Sequence, residues 1–211
     1  MSRIRIPGAR DVRATLDGPD DADACVVACP PHLQFGGSRS DSRLRAVGDG
    51  LADQGVATLR FDYGPWDEGR GERADAGATL DWVSGRYERV GLFGYSFGGA
   101  VALVVAADRG DIAALSALAP ASRLEDGSDA CEAVATVTCP TLVVCGERDD
   151  TVDCRAVADR ARTAGHTVES VPADHHFAGR TDRVADIVAA FFVERLADRG
   201  ANPGGVGEPD R

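Results

Sequence analysis

A serine flanked by glycines, in Gly94-Tyr95-Ser96-Phe97-Gly98-Gly99, separates the apolar run Val90-Gly91-Leu92-Phe93 from a helix-like run over residues 100–107. A strand that turns this sharply into a helix holds its central serine in a strained backbone conformation. Only glycines two residues to either side avoid a steric clash there. The turn would lift the Ser96 hydroxyl clear of a sheet and set the Phe97 amide at a helix N-terminus, where a developing oxyanion is stabilised. A serine hydroxyl is a poor nucleophile by itself, so the pattern predicts an acid and then a histidine further along the chain. Residues 140–146 read as a buried strand, followed by Glu147-Arg148-Asp149-Asp150-Thr151-Val152. Residues 166–172 read as another, followed by Ala173-Asp174-His175-His176-Phe177. Acid, imidazole and serine would then share the carboxyl edge of one sheet, the edge at which α/β sheets bind ligands. The chemistry such a set performs is attack on a carbonyl, with the imidazole taking the serine proton and returning it to the leaving group.

With these strand contexts, Ser96, Asp149 and His175 resemble the α/β-hydrolase superfamily, and within it the small cap-less branch of dienelactone-hydrolase-like proteins. The resemblance runs over roughly residues 1–198. Gly146-x-x-Asp149-x-x-Val152 is similar to that family's acid turn and Ala173-Asp174-His175 to its histidine turn. This register favours Asp149 over Asp150 and His175 over His176. Pro31-His32-Leu33-Gln34-Phe35-Gly36-Gly37 resembles the loop that donates a second oxyanion amide, from His32, Leu33 or Gln34, with Leu33 preferred and Phe97 giving the first. The resemblance implies a Ser-His-Asp triad, a small-molecule acyl substrate and no metal or organic cofactor. His32, Trp66 and His176 are candidates for contact with that substrate. Two departures stand out. Many relatives carry an Arg-Gly-x-Gly-x-Ser turn where this chain has Asp62-Tyr63-Gly64-Pro65-Trp66-Asp67-Glu68-Gly69, and dienelactone hydrolases proper use cysteine where this chain has Ser96. Thioester cleavage or acyl transfer would use the same residues with a different acceptor. A binding protein of this fold without catalysis would have no need of all three.

The elements that must position these residues are legible in outline. Residues 3–6 and 12–16 read as an edge hairpin turned by Pro7-Gly8, and Cys25-Val26-Val27-Ala28-Cys29 as a strand covered on both faces. Leu44, Val47 and Leu51 recur at helical spacing before Gly55. A strand over 56–61, a loop over 62–71 and a helix over 74–83 precede the strand at 89–93. A strand over 112–118 follows the serine's helix. The connection at 121–138 is too short for a cap domain but long enough for a short helix over the site. A strand at 141–145, a helix at 153–164, a strand at 167–171 and a helix at 183–196 complete one domain over 1–198, with a tail at 199–211 expected to be disordered. The alternation predicts an α/β fold with a mostly parallel, doubly wound sheet of about eight strands and an N-terminal antiparallel hairpin.

Composition bounds the partners. The chain has 211 residues, of which 44% are hydrophobic, enough for one sizeable core. Asp and Glu number 34 against 23 basic residues, all arginine, for a net charge of −11. Such a surface repels nucleic acid and anionic membranes. It resembles the surfaces of proteins from salt-loving archaea, although a GC-rich genome would also favour arginine. No apolar run has the length of a membrane span and no signal-peptide block opens the chain, so a cytoplasmic location is expected. On that ground the six cysteines are expected to be reduced structural thiols; none forms a Cys-x-x-Cys pair.

Overall fold

The structure, a computed structural model, describes residues 2–197; the expected tail at 199–211 lies outside the described residues. Eight strands form one sheet in the order β1-β2-β4-β3-β5-β6-β7-β8. They are β1 (Ser2–Arg5), β2 (Arg13–Asp17), β3 (Ala24–Cys29), β4 (Ala57–Asp62), β5 (Arg89–Tyr95), β6 (Ala114–Leu118), β7 (Thr141–Gly146) and β8 (Thr167–Val171). β1 pairs antiparallel with β2 and β2 antiparallel with β4. From β4 across to β8 every pairing is parallel. The hairpin and the parallel sheet expected from the sequence are both present.

Parallel strands need crossovers, and the helices supply them on both faces. α1 (Ser42–Ala52) and α6 (Thr181–Leu196) pack together on one face. α2 (Arg70–Ser84), α3 (Phe97–Ala107), α4 (Ala130–Thr136) and α5 (Cys154–Thr163) pack in sequence on the other. β3 records the reason for its continuous apolar run: Cys25, Val27 and Cys29 enter the core under α2 to α5, and Ala24, Val26 and Ala28 the core under α1 and α6. Alternate side chains reach opposite faces, and both faces are covered.

Three local expectations are corrected. α2 starts at Arg70 rather than at 74, because Glu72, fully buried, reaches back over the turn. Its Oε2 accepts the amide of Gly69 at 2.8 Å and its Oε1 that of Asp67 at 2.9 Å. The Asp/Gly-rich stretch that reads as loop is thus a helix start with its first amides satisfied. The short helix within 121–138 does not cover the site. Ala130, Ala133 and Val134 are buried, and α4 lies between α3 and α5 as the crossover to β7. Cys145 and Cys154 are joined as a disulfide, closing the end of β7 onto the start of α5, while Cys25, Cys29, Cys131 and Cys139 are free. The sequence shows no pairing signal at that spacing; the β7-to-α5 turn brings the two side chains together. Burial pushes the Cys25 and Cys29 thiols up to about 12, so both act as small apolar core residues.

Candidate active site

Ser96 sits between β5 and α3 with φ 57° and ψ −119°, a region that side-chain-bearing residues rarely occupy. The turn closes only because its flanks lack side chains. A Cβ on Gly94 would lie 2.0 Å from the Gly98 carbonyl oxygen, and one on Gly98 would lie 2.3 Å from that of Pro30. The backbone is pinned on both sides: the Ser96 amide donates to Leu118 at 2.8 Å, and its carbonyl accepts the Gly99 amide at 2.9 Å. Phe97 opens α3, so its amide belongs to the first turn of a helix.

Asp149 lies in the turn after β7, its amide donating to Gly146 at 3.2 Å. Its Oδ1 accepts the amides of Thr151 at 3.0 Å and Val152 at 3.2 Å. Its Oδ2 faces Nδ1 of His175 at 2.8 Å, and Nε2 of His175 faces the Ser96 hydroxyl at 3.0 Å. An ionised carboxylate can only accept, so Nδ1 carries the proton and Nε2 accepts from the serine. The Asp149 side chain is only 3% exposed and that of His175 only 6%, so water is kept from the pair. Asp150 is exposed, and the cap of α5 is Asp153, which accepts the Ala156 amide at 3.1 Å.

A cleft of about 490 Å³ opens over Ser96 and His175, with Pro31, Phe35, Arg43, Tyr95 and Thr151 among its walls. Two of the three expected contact residues, His32 and His176, line it. Trp66 does not: it stacks behind His32, ring centroids 4.5 Å apart, and against Phe97 at 5.6 Å. His32 is held from both nitrogens, Nδ1 accepting the Gln34 amide at 3.3 Å and Nε2 donating to Glu125 at 3.0 Å. Gln34 therefore has its amide committed, which leaves those of His32 and Leu33 among the three candidates. Leu33 opens a single 3-10 turn, Leu33–Phe35, ended by Gly36 at φ 82°. Gly37 follows so close to the Pro31 carbonyl oxygen, 2.1 Å from an ideal Cβ, that no side chain fits there.

The sequence reading missed Arg43, Tyr95 and Phe35. Phe35 is the one large apolar side chain exposed among the described residues, at 86%, and it stands on the cleft's rim. A slightly larger cavity of about 530 Å³ lies behind the acid turn, lined by the Cys145–Cys154 bridge and the charged residues of α5. It touches neither Ser96 nor His175, both of which line the smaller cleft. Among the described residues no cluster of His, Cys, Asp and Glu could hold a metal ion, and no helix is long and apolar enough to cross a membrane.

Sheet order, crossover handed to both faces, and a serine at the turn after β5 define an α/β hydrolase. The profile of the dienelactone hydrolase family matches residues 65–195, and the chain belongs to that family. It is accordingly an ester-cleaving hydrolase by family. An uncharacterized protein of Rickettsia prowazekii is 23% identical over 77% of this chain and 76% of its own length. An uncharacterized protein of Mycobacterium tuberculosis is 32% identical over 58% of this chain, which spans about half of that relative, 53%. Among solved structures, Est1E from Butyrivibrio proteoclasticus superposes with a TM-score of 0.78 at 21% identity, covering 93% of this chain and 99% of Est1E. XC6422 from Xanthomonas campestris, described as an α/β serine hydrolase without lid, superposes with a TM-score of 0.78 at 23% identity, covering 93% and 95%. At these identities the likeness is one of fold.

Proposed function

We propose that the chain is a serine hydrolase that cleaves small carboxylic esters through an acyl-enzyme. The observation that carries the reading is the unbroken hydrogen-bonded path from Asp149 through His175 to Ser96, with the serine at the floor of an open cleft. In the first half-reaction Ser96 Oγ attacks the ester carbonyl while Nε2 of His175 takes its proton. Asp149 holds the tautomer and stabilises the imidazolium that forms. The amides of Phe97 and Leu33 receive the oxyanion, each donor contributing about 3 kcal/mol to the transition state. The imidazolium then protonates the departing alcohol. In the second half-reaction water, deprotonated by the same nitrogen, releases the acid and restores Ser96.

A fluorophosphonate probe and p-nitrophenyl butyrate test this together. The purified chain should take up one label and turn over the ester, and Ser96→Ala should lose both with its melting temperature nearly unchanged. Turnover retained by pure Ser96→Ala would refute the assignment.

A further inference from the structure

A histidine on a loop beyond an edge strand needs more than one contact to keep its ring in line with a nucleophile. Asp149 fixes the Nδ1 corner of His175, yet a ring held at one corner can still tilt. Two side chains that play no part in the proton path hold the backbone of the turn that carries the ring. The Tyr95 hydroxyl, on the residue just before Ser96, donates to the His175 carbonyl at 3.1 Å, and its ring lies stacked beside the imidazole with centroids 5.4 Å apart. Arg43, in the first turn of α1, donates to the next carbonyl, that of His176, at 3.3 Å. Its guanidinium also sits over the Tyr95 ring, 4.5 Å from the centroid. Asp41, the N-cap of α1, holds Arg43 in turn: Oδ1 accepts both its amide at 2.9 Å and its Nε at 3.0 Å, and the second carboxylate oxygen pairs with the guanidinium.

We propose that Tyr95 and Arg43 are positioning residues that set the catalytic imidazole of His175 against Ser96. Consecutive carbonyls of the histidine turn are gripped from two elements, β5 and α1. Because Tyr95 adjoins Ser96 on β5, nucleophile and base are referenced to the same strand. Burial pushes the Tyr95 phenol up to about 12, so it stays a neutral donor through the working pH range. Arg43 carries its counter-charge with it in Asp41, which suits a structural clamp rather than a receptor for an anionic substrate. A shift of about an ångström in a reacting group can cost on the order of a hundredfold in rate, so a partial loosening here should cost about tenfold.

This inference rests on the hydrolase reading, and the experiment separates the two. With p-nitrophenyl butyrate, Tyr95→Phe keeps the ring and removes only the donor. It should lower kcat by about tenfold with KM within twofold, and slow fluorophosphonate labelling in parallel. Arg43→Ala should do the same, and Arg43→Lys, which retains a donor, should recover part of the loss. The downfield proton resonance of the imidazole Nδ1–H should be broader in Tyr95→Phe than in the wild type. A merely structural role would lower the melting temperature and leave kcat of the folded protein alone. Wild-type kcat and an unchanged imidazole resonance in Tyr95→Phe would overturn the proposal even if Arg43→Ala fails to fold, and so would losses confined to KM. A wild type that neither turns over ester nor takes label would instead overturn the hydrolase reading and this proposal with it.

Discussion

At Ser96 and His175 the decisive quantity is reach. One imidazole spans from Asp149 Oδ2 to Ser96 Oγ, while the neighbouring His176 ring stands 5.4 Å away, nearly perpendicular, exposed and on the cleft wall. His175→Ala is therefore expected to lose activity by about a hundredfold to ten-thousandfold, a general base being worth about 10²–10⁴. His176→Ala should change KM more than kcat and cost less than tenfold, since it can touch only the substrate. Steady-state kinetics on the two purified variants check this, and reversed ranks would place the base at His176. The same scale explains why His32 is fixed in place at the mouth. With Nδ1 accepting from Gln34 and Nε2 donating to Glu125, it braces the Leu33–Phe35 turn.

Among the elements, the turn between β7 and α5 carries the acid and is closed by the Cys145–Cys154 bridge. Bridging residues nine apart in sequence removes loop-closure entropy from the unfolded chain worth about 2–3 kcal/mol. Unfolded in urea without reductant, the protein should titrate four thiols, and six after reduction. Cys154→Ser should lower the melting temperature by several degrees. Because Asp149 is also held by the Thr151 and Val152 amides, and the loop backbone by Glu147-to-Val171 and Arg148-to-Ala173 hydrogen bonds, kcat should fall by less than tenfold. Six thiols without reductant would refute the bridge.

At the scale of the whole molecule, the crossover helices leave the carboxyl edge of the sheet open. α4 is packed into the helix layer, so only residues 121–128 approach the mouth, through Glu125 on His32. A cleft of about 490 Å³ with one exposed apolar rim residue, Phe35, should reward short acyl groups. A long apolar groove would gain about 0.8 kcal/mol, or roughly fourfold, for each added methylene. Butyrate esters are thus expected to exceed laurate esters in kcat/KM, and a steady rise from two to twelve carbons would contradict the open site. The net charge of −11 sets a second property. Raising salt shortens the screening length from about 8 Å to about 3 Å at 1 M and should relieve self-repulsion. The melting temperature is accordingly expected to rise in molar potassium chloride, and thermal unfolding across a salt series checks it.

Local patterns in the chain determine a good deal. The strained serine turn, the order acid-then-histidine after successive strands, and the continuous apolar run of β3 each follow from steric or solvation rules that act over a few residues, and they place Ser96, Asp149 and His175 on one edge of one sheet. Only the tertiary structure decides what depends on distant partners. The start of α2 was set by a buried Glu72 that reads locally as one acid among many. Trp66 faces His32 rather than substrate because the 62–69 turn folds behind the loop after β3. Cys145 and Cys154 meet because a turn reverses the chain between them, and their spacing alone carries no sign of it. Arg43 and Tyr95 lie 52 positions apart and look like a surface residue and a motif spacer; they converge on the histidine turn only because α1 crosses beside β5. Sequence pattern records what a residue's neighbours along the chain require, whereas clamps, caps and bridges between elements are fixed by packing, which no short window contains.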